Sequence, residues 1–466
     1  MGQSGKRSGI PRREFLGGFA AAAASVSFLP RHLLGGETAT PPPSAKVNLA
    51  KIGCGGMGGG DLNAVAGCGA NIVALCDVDE NTLNGAAKRF ATAKTYVDFR
   101  KMFDEMEKDI DAVVVSTADV SHAIASMAAV KRGKGVYCQK PLTRTVKEAR
   151  LLTEAAREHK VATQMGNQGH SGGGLEPTAE YIRSGAIGPI REVHTWSDRP
   201  KGWWPQGVAL PTYTDPIPKN LHWDLWLGPM PERGFIEKFR EGPFKDKRVY
   251  HPSNWRGWWD FGAGAMGDMA CHNMDPAFCV LDLGAPTWVK ATCSEFNHVS
   301  FPAWSVIEWE FPAKGDRPAV RLFWHDGGKM PPRPPEMEQG RNMGDNGCMF
   351  IGEKGAMIGG GWAGAGRIIP ESRMKETPAP PRTLPRPARR PSEHYQQWLD
   401  ACKDPKITPG SHFGYSGPMT EAILLGNVAL WYPGEELRWD AEKLAFTNKP
   451  EANRLLHYEP RKGWEL

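Results

Sequence analysis

Between Val47 and Met165, short apolar runs alternate with stretches in which apolar residues recur at helical spacing. Val47–Ile52, Ile72–Asp77, Asp111–Thr117, Gly135–Cys138 and Val161–Met165 read as strands. Asn63–Ala66, Phe99–Met106, Ser121–Arg132 and Thr145–His159 read as helical segments between and after them. Repeated βα units of this length specify a doubly wound parallel sheet, the Rossmann arrangement, with ligands at the carboxyl ends of its strands. Ser116, Thr117 and the Gln139-Lys140-Pro141 turn fall at those ends.

After Gly169 this alternation stops. Ile190–Thr195, Trp288–Glu295, Val306–Phe311 and Ala319–Trp324 are strands separated by turn residues, the pattern of a large, mainly antiparallel sheet. Two long connections, 198–256 and 327–345, are rich in Pro, Gly and Trp, and the bulky aromatics of the first point to a covering loop. Pro378–Pro391 lacks an apolar period and is expected to form an exposed, extended strap. The fold class is α/β, with a Rossmann domain over 46–168 and a second α/β domain with an open sheet over 169–466.

Residues 1–40 follow a different pattern. Arg12-Arg13 precede Phe15-Leu16, and a run from Ala20 to Leu29 contains no acid. A charged region followed by a short apolar run is secretory-signal architecture, and the paired arginines resemble the twin-arginine class, whose machinery exports folded proteins. A periplasmic or extracytoplasmic location is expected, with an uncleaved signal able to act as a tether. The chain has 466 residues with a net charge of +5, of which +3 lies in residues 1–37, so the remainder offers no electrostatic case for nucleic acid. Its nine cysteines lack metal-site spacing and do not form a disulfide framework.

The chemistry begins at Gly53-Cys-Gly55-Gly56-Met57-Gly58, which follows a strand and opens a helix. Gly53 permits a tight turn, Gly55 lets the backbone approach a pyrophosphate, and Gly58 allows close helix packing. Asp77, 24 residues after Gly53 at a strand end, is placed to accept from a ribose and to repel a 2′-phosphate, which favours NAD over NADP.

The run Val136-Tyr-Cys-Gln-Lys-Pro-Leu-Thr143, downstream of this unit, resembles the E-K-P signature of the Gfo/Idh/MocA oxidoreductases. Gly267-Asp268-Met-Ala-Cys-His272 and Gly347-Cys-Met-Phe-Ile-Gly-Glu-Lys-Gly355 extend the likeness across residues 46–466. The resemblance implies sugar or polyol dehydrogenation, with the lysine, aspartate and histidine at Lys140, Asp268 and His272 performing it. It also implies a cofactor-side role for His122 and oligomer contacts through the open sheet. Gln139 stands where the signature has glutamate, leaving Lys140 without that charge partner.

The residues themselves support the same assignment. Asp268, His272 and Asp275 are spaced by four and three, which predicts one helical face. Oxidation of an alcohol needs an acceptor for the hydroxyl proton, and imidazole titrates near working pH, so His272 is the candidate base. Asp268 could orient it, and Lys140 could stabilise charge on the same oxygen. A metal held by Asp268, His272 and Asp275 is an alternative that needs ligands from elsewhere. Among the aromatics, Trp255 with Arg256, Asn254 and Asp260 could bind a sugar, while loop anchoring explains the other tryptophans of 203–259 equally well. Asn167 and Gln168 are further candidates for the wall of the site.

Export and NAD must be reconciled, because no pool of free NAD is maintained outside the cytoplasm. The expectation is a tightly held cofactor, loaded before export and restored to its starting redox state in each turnover. An exported oxidoreductase acting on a carbohydrate or polyol is the first reading. A redox-neutral NAD-dependent glycosidase or lyase, and a non-catalytic sugar-binding or scaffolding protein, are the alternatives.

Overall fold

The structure is a computed structural model and describes residues 46–388, 390 and 392–466. The expected export segment lies outside the described residues.

The first half forms the expected parallel sheet, with two additions. Strands β1 (Asn48–Ile52), β2 (Asn71–Cys76), β3 (Lys94–Tyr96), β4 (Ala112–Val115), β5 (Gly135–Gln139) and β6 (Thr163–Gly166) lie in the order β3-β2-β1-β4-β5-β6, all parallel. Helices α1 (Met57–Gly67), α2 (Glu80–Ala87), α3 (Phe99–Met106), α4 (His122–Val130) and α5 (Val146–His159) make the crossovers. The sequence reading missed β3 and α2. The β3 strand is only three residues long at a sheet edge and is largely exposed, so it lacks an apolar run. Helix α2 starts at the Asp79 cap, whose carboxylate accepts from the Asn81 N–H. A reciprocal capping box, Thr145 with Glu148, fixes the start of α5 just after the Lys140 turn.

After α6 (Leu175–Arg183), the second sheet runs through β7 (Ile190–Ser197), then helices α7 (Gly264–Asn273) and α8 (Asp275–Leu281). It continues with β8 (Trp288–Cys293), β9 (Ser305–Phe311), β10 (Val320–His325), β11 (Asn346–Gly352), β12 (Gly355–Gly360) and β13 (Arg367–Ile369). Helices α9 (Glu393–Lys403) and α10 (Phe413–Ala429) precede β14 (Glu436–Asp440) and β15 (Ala445–Phe446). The nine strands are ordered β13-β12-β11-β7-β10-β9-β8-β14-β15, with β7 and β10 parallel and the other pairs antiparallel.

The boundary near residue 168 separates two topologies but not two cores. Tyr395, Trp398 and Leu399 of α9 pack with Leu49, Leu75, Val114 and Tyr137 on one face of the parallel sheet. Tyr395 stacks on Tyr137 at 4.9 Å. The opposite face, including Val113, Val115 and Val136, shares a core with Trp309 and Leu322 of the second sheet. The 378–391 segment is tied down where Glu180 of α6 accepts from the Thr383 and Leu384 N–H groups and from Arg386. The strap expected there is thus pinned to α6 through Thr383, Leu384 and Arg386.

Candidate active site

The carboxyl ends of β1, β2, β4 and β5 open into a cavity of about 850 Å³ closed on its other side by α7, the aromatic loop after β7 and Trp362. Gly53, Gly55, Gly56, Met57, Gly58, Asp77, Ser116, Thr117, His122, Gln139, Lys140, Gln168, Trp255, Arg256, Asp268 and His272 all line it. Asn167, Asn254, Asp260 and Asp275 do not. The buried Asn167 donates to the Cys271 carbonyl at 3.4 Å, Asn254 donates to the Arg248 carbonyl, and Asp260 pairs with Arg233.

The glycine turn has the shape a dinucleotide requires. A Cβ on Gly53, where φ is +81°, would lie 2.3 Å from the Ser116 carbonyl oxygen, and one on Gly58 would lie 2.2 Å from the Gly53 oxygen. Side chains are excluded there, while Gly56 faces open space. One Asp77 oxygen accepts from the Cys54 N–H at 2.7 Å and the other from the Asp79 N–H at 2.9 Å. Burial raises the Asp77 pKa against these two bonds. The carboxylate is thus held at the mouth of the turn, where a ribose bound beside the glycines would meet it.

Beneath this floor lies a buried polar network. The fully buried Lys51 ammonium donates to Ser116 Oγ at 2.6 Å, and Ser116 donates to Asp61 at 2.6 Å. Asp61 also accepts from the Gln139 amide at 2.9 Å and from the Tyr395 hydroxyl at 2.6 Å. Gln139 therefore meets a carboxylate in place of carrying one, and Lys140 is not left unpaired. Its Nζ donates to Asp268 Oδ1 at 2.6 Å and to the Asp268 carbonyl at 2.8 Å.

Asp268 is the electrostatic centre. Arg256 Nε donates to the same Oδ1 at 3.0 Å, and Arg199 Nε stands 3.9 Å from Oδ2. Burial opposes the Asp268 charge, but the Lys140 and Arg256 cations prevail and hold the carboxyl well below the usual range. Asp268 therefore fixes Lys140 and the arginines, and it makes no bond to His272. Burial first, and the Lys140 cation second, push His272 down to about 3, so its imidazole stays neutral at working pH and does not titrate there. Its Nδ1 is buried without a hydrogen-bond partner among the described residues.

The expectation of one helical face for Asp268, His272 and Asp275 fails. Helix α7 ends at Asn273 and α8 begins at Asp275, with Pro276 in its first turn, where a missing N–H costs nothing. Asp275 turns instead to His170 at 3.0 Å and to the Tyr415 hydroxyl at 2.5 Å. No three His, Cys, Asp or Glu side chains converge as metal ligands among the described residues. His122 lies between two turns, its Nδ1 2.8 Å from the Pro141 carbonyl and its Nε2 3.2 Å from the Thr117 carbonyl, and because burial lowers it to about 4 the neutral ring donates to only one of them.

The aromatic loop divides by burial. Trp223, Trp226, Trp255 and Trp258 sit in a core with Phe235, Tyr250 and Phe261 and anchor the loop. Trp255 is a support for Arg256, whose guanidinium lies 4.2 Å from the ring centroid. By contrast Trp203 and Trp362 are 58% and 47% exposed where they border the cavity, as is Met57 at 49%. Arg199, Asp119, Trp362 and Trp464 also line the site and were missed by the sequence reading. Arg199 carried a signal, an Asp-Arg-Pro at a strand end opening the Trp-rich loop, whereas Trp362 sits in a glycine run with no pattern to single it out.

Residues 47–167 match the family model for the NAD-binding Rossmann fold of the Gfo/Idh/MocA oxidoreductases, and residues 195–316 match that for the family's C-terminal alpha/beta domain. Together these cover more than half of the chain, which belongs to this family. Over 152 residues it is 32% identical to inositol 2-dehydrogenase 2 of Saccharopolyspora erythraea, covering 32% of this chain and 44% of that protein. The match thus spans less than half the length of that curated relative. Among solved structures, the WlbA dehydrogenase from Bordetella pertussis, in complex with NADH and UDP-GlcNAcA, superposes with a TM-score of 0.56 at 17% identity, over 85% of this chain and 99% of that one. The aldose-aldose oxidoreductase from Caulobacter crescentus, complexed with glycerol, gives 0.55 at 17% identity, over 84% and 100%. At these identities the likeness is one of fold.

Proposed function

We propose that this protein is an exported NAD-dependent oxidoreductase acting on a hydroxyl of a carbohydrate or polyol, with its cofactor retained and recycled in each turnover. The convergence of Lys140 and His272 in the cavity beside the glycine turn, which the exposed Trp203 and Trp362 also line, carries this reading. Bound NAD would supply the hydride acceptor. Lys140, oriented by Asp268, donates to the substrate oxygen and stabilises the charge that develops there. His272 offers an acceptor for the hydroxyl proton, but burial and the Lys140 cation weaken it as a base, so the proton would move to it only as hydride leaves the carbon and the O–H becomes strongly acidic. The apolar faces of Trp203 and Trp362 suit the C–H faces of a sugar ring.

Retention is supported by a clasp over the Asp77 end of the cleft. Asp79 binds His251 at 2.9 Å and Asn220 at 2.8 Å, and Glu80 binds His222 at 2.7 Å, joining the long loop to the end of β2. From the C-terminal tail, Trp464 packs on Phe99, with the Arg100 guanidinium 4.2 Å from its ring. This clasp also fits the redox-neutral glycosidase or lyase reading, which needs the same retention.

Denatured, purified protein examined by mass spectrometry is expected to release NAD and not NADP, near one per chain. A glycoside screen then separates the readings: an oxidised sugar, or a reduced added acceptor, marks the oxidoreductase, while free sugar without net oxidation marks the glycosidase. Protein that folds without any nicotinamide cofactor and binds none when it is added would sink both. For export, Arg12-Arg13 replaced by Lys-Lys is expected to leave folded protein in the cytosol, and unchanged export would refute the twin-arginine assignment. Light scattering on the exported protein reads the proposed homo-oligomer through the second sheet, a monomer counting against it.

A further inference from the structure

Lys140, Arg199 and Arg256 crowd one shared carboxylate, Asp268, while two other acids lining the cavity are engaged elsewhere, Asp77 by the Cys54 and Asp79 N–H groups and Asp98 by Arg100. Asp198 pairs with Arg199 Nη1, but the buried Arg199 Nε has no hydrogen-bond partner among the described residues, and the side chain is only 7% exposed. Neither Arg199 Nη2 nor Arg256 Nη2 forms a hydrogen bond among the described residues. Asp119, the next acid on the wall, is pushed up to about 7 by burial, against the pull of Arg256 and Lys140, and so contributes little counter-charge below neutral pH. A buried guanidinium donor without a partner is costly unless a ligand completes it.

The two arginines are also braced. The Arg199 guanidinium lies 3.4 Å from the centroid of the exposed Trp203 ring, and Arg256 rests on Trp255. A planar fork held flat against an aromatic ring is pre-oriented for paired hydrogen bonds to a carboxylate. Neutral hydroxyls would satisfy the donors but leave the charge unbalanced.

We infer that the substrate is a sugar acid, whose carboxylate is held by Arg199 and Arg256 while a ring hydroxyl is presented to Lys140 and His272. This rests on the oxidoreductase reading for the hydroxyl but on the arginines alone for the carboxylate. Arg199, two residues after the end of β7, is then the specificity-determining side chain.

The test uses the full-length protein with its retained cofactor and matched methyl glycosides and methyl glycosiduronates of the gluco, galacto and manno series. Binding is followed by tryptophan fluorescence, and oxidation by product analysis. In at least one series the uronate is expected to bind about tenfold or more tightly than its neutral partner, with the margin shrinking as salt rises. Arg199→Gln should reduce that margin to about twofold or less, and Arg199→Lys should keep part of it. Neutral glycosides bound as well as uronates in every series, or no binding by either, would overturn the inference. If the neutral sugars are nevertheless oxidised, the oxidoreductase reading survives that failure. Uronates bound selectively yet never oxidised would leave the acid site standing and remove the catalytic reading instead.

Discussion

A Lys140→Met variant is expected to retain NAD and to lose turnover by about 10²- to 10⁴-fold, the range for a positioned group acting on a proton or developing charge. Two of the three ammonium hydrogens are committed to the Asp268 carboxylate and carbonyl, which sets the direction of the third. Methionine keeps the unbranched side chain as far as Cε and removes the ammonium. Asp268 keeps Arg256 as a partner, so its carboxylate is not stranded and the fold should persist. The glycine turn and Asp77 are untouched, which is why cofactor content should not change. Mass spectrometry for NAD, with turnover on the screened substrate, checks both halves. His272→Ala should likewise keep NAD and lower turnover by about 100-fold. Full activity in Lys140→Met, together with a severe loss in His272→Ala, would move the chemistry onto the histidine.

The second large effect is on stability. Lys51 and Asp61 are wholly buried opposite charges joined through Ser116 Oγ, and Asp61→Asn should cost about 3 to 5 kcal/mol because Lys51 is then left without its counter-charge. Burial already lowers the Lys51 pKa from its ordinary value of 10.5, with Asp61 the largest opposing attraction. Removing that attraction lowers it further. A base whose folded pKa lies below its unfolded value binds fewer protons in the folded state, so stability should rise with pH through the interval between the two values. Urea unfolding followed by tryptophan fluorescence at several pH values reads the loss and its slope. In the Lys51→Met, Asp61→Asn double variant the loss should fall short of the sum of the singles by about 1 to 3 kcal/mol. Additive losses, or a pH slope of the opposite sign, would show that the two residues do not act as a charge pair.

Much of the site was legible because its elements are local. The glycine spacing, an acid at the end of the next strand and a lysine before a proline at a strand end each occupy a few consecutive residues, and their strand-to-helix context comes from apolar periodicity. Lys51, inside the apolar first strand, was not singled out, and only the fold shows that Ser116 and Asp61 receive it. The pairing of α9 with the parallel sheet had no local signature, since Tyr395 lies more than 250 residues from its stacking partner Tyr137.

By itself, then, the sequence determined the succession of βα units, the change to antiparallel strands and most of the residues that line the cavity at the ends of the parallel strands, because backbone sterics and side-chain period act over a turn or two of chain. Tertiary structure decided which charges meet. It placed Asp268 against Lys140 and two arginines, broke the helix before Asp275, and buried His272 deeply enough to keep it neutral. Those outcomes depend on desolvation and on distances between segments far apart in the chain, and neither is written in any window of the sequence.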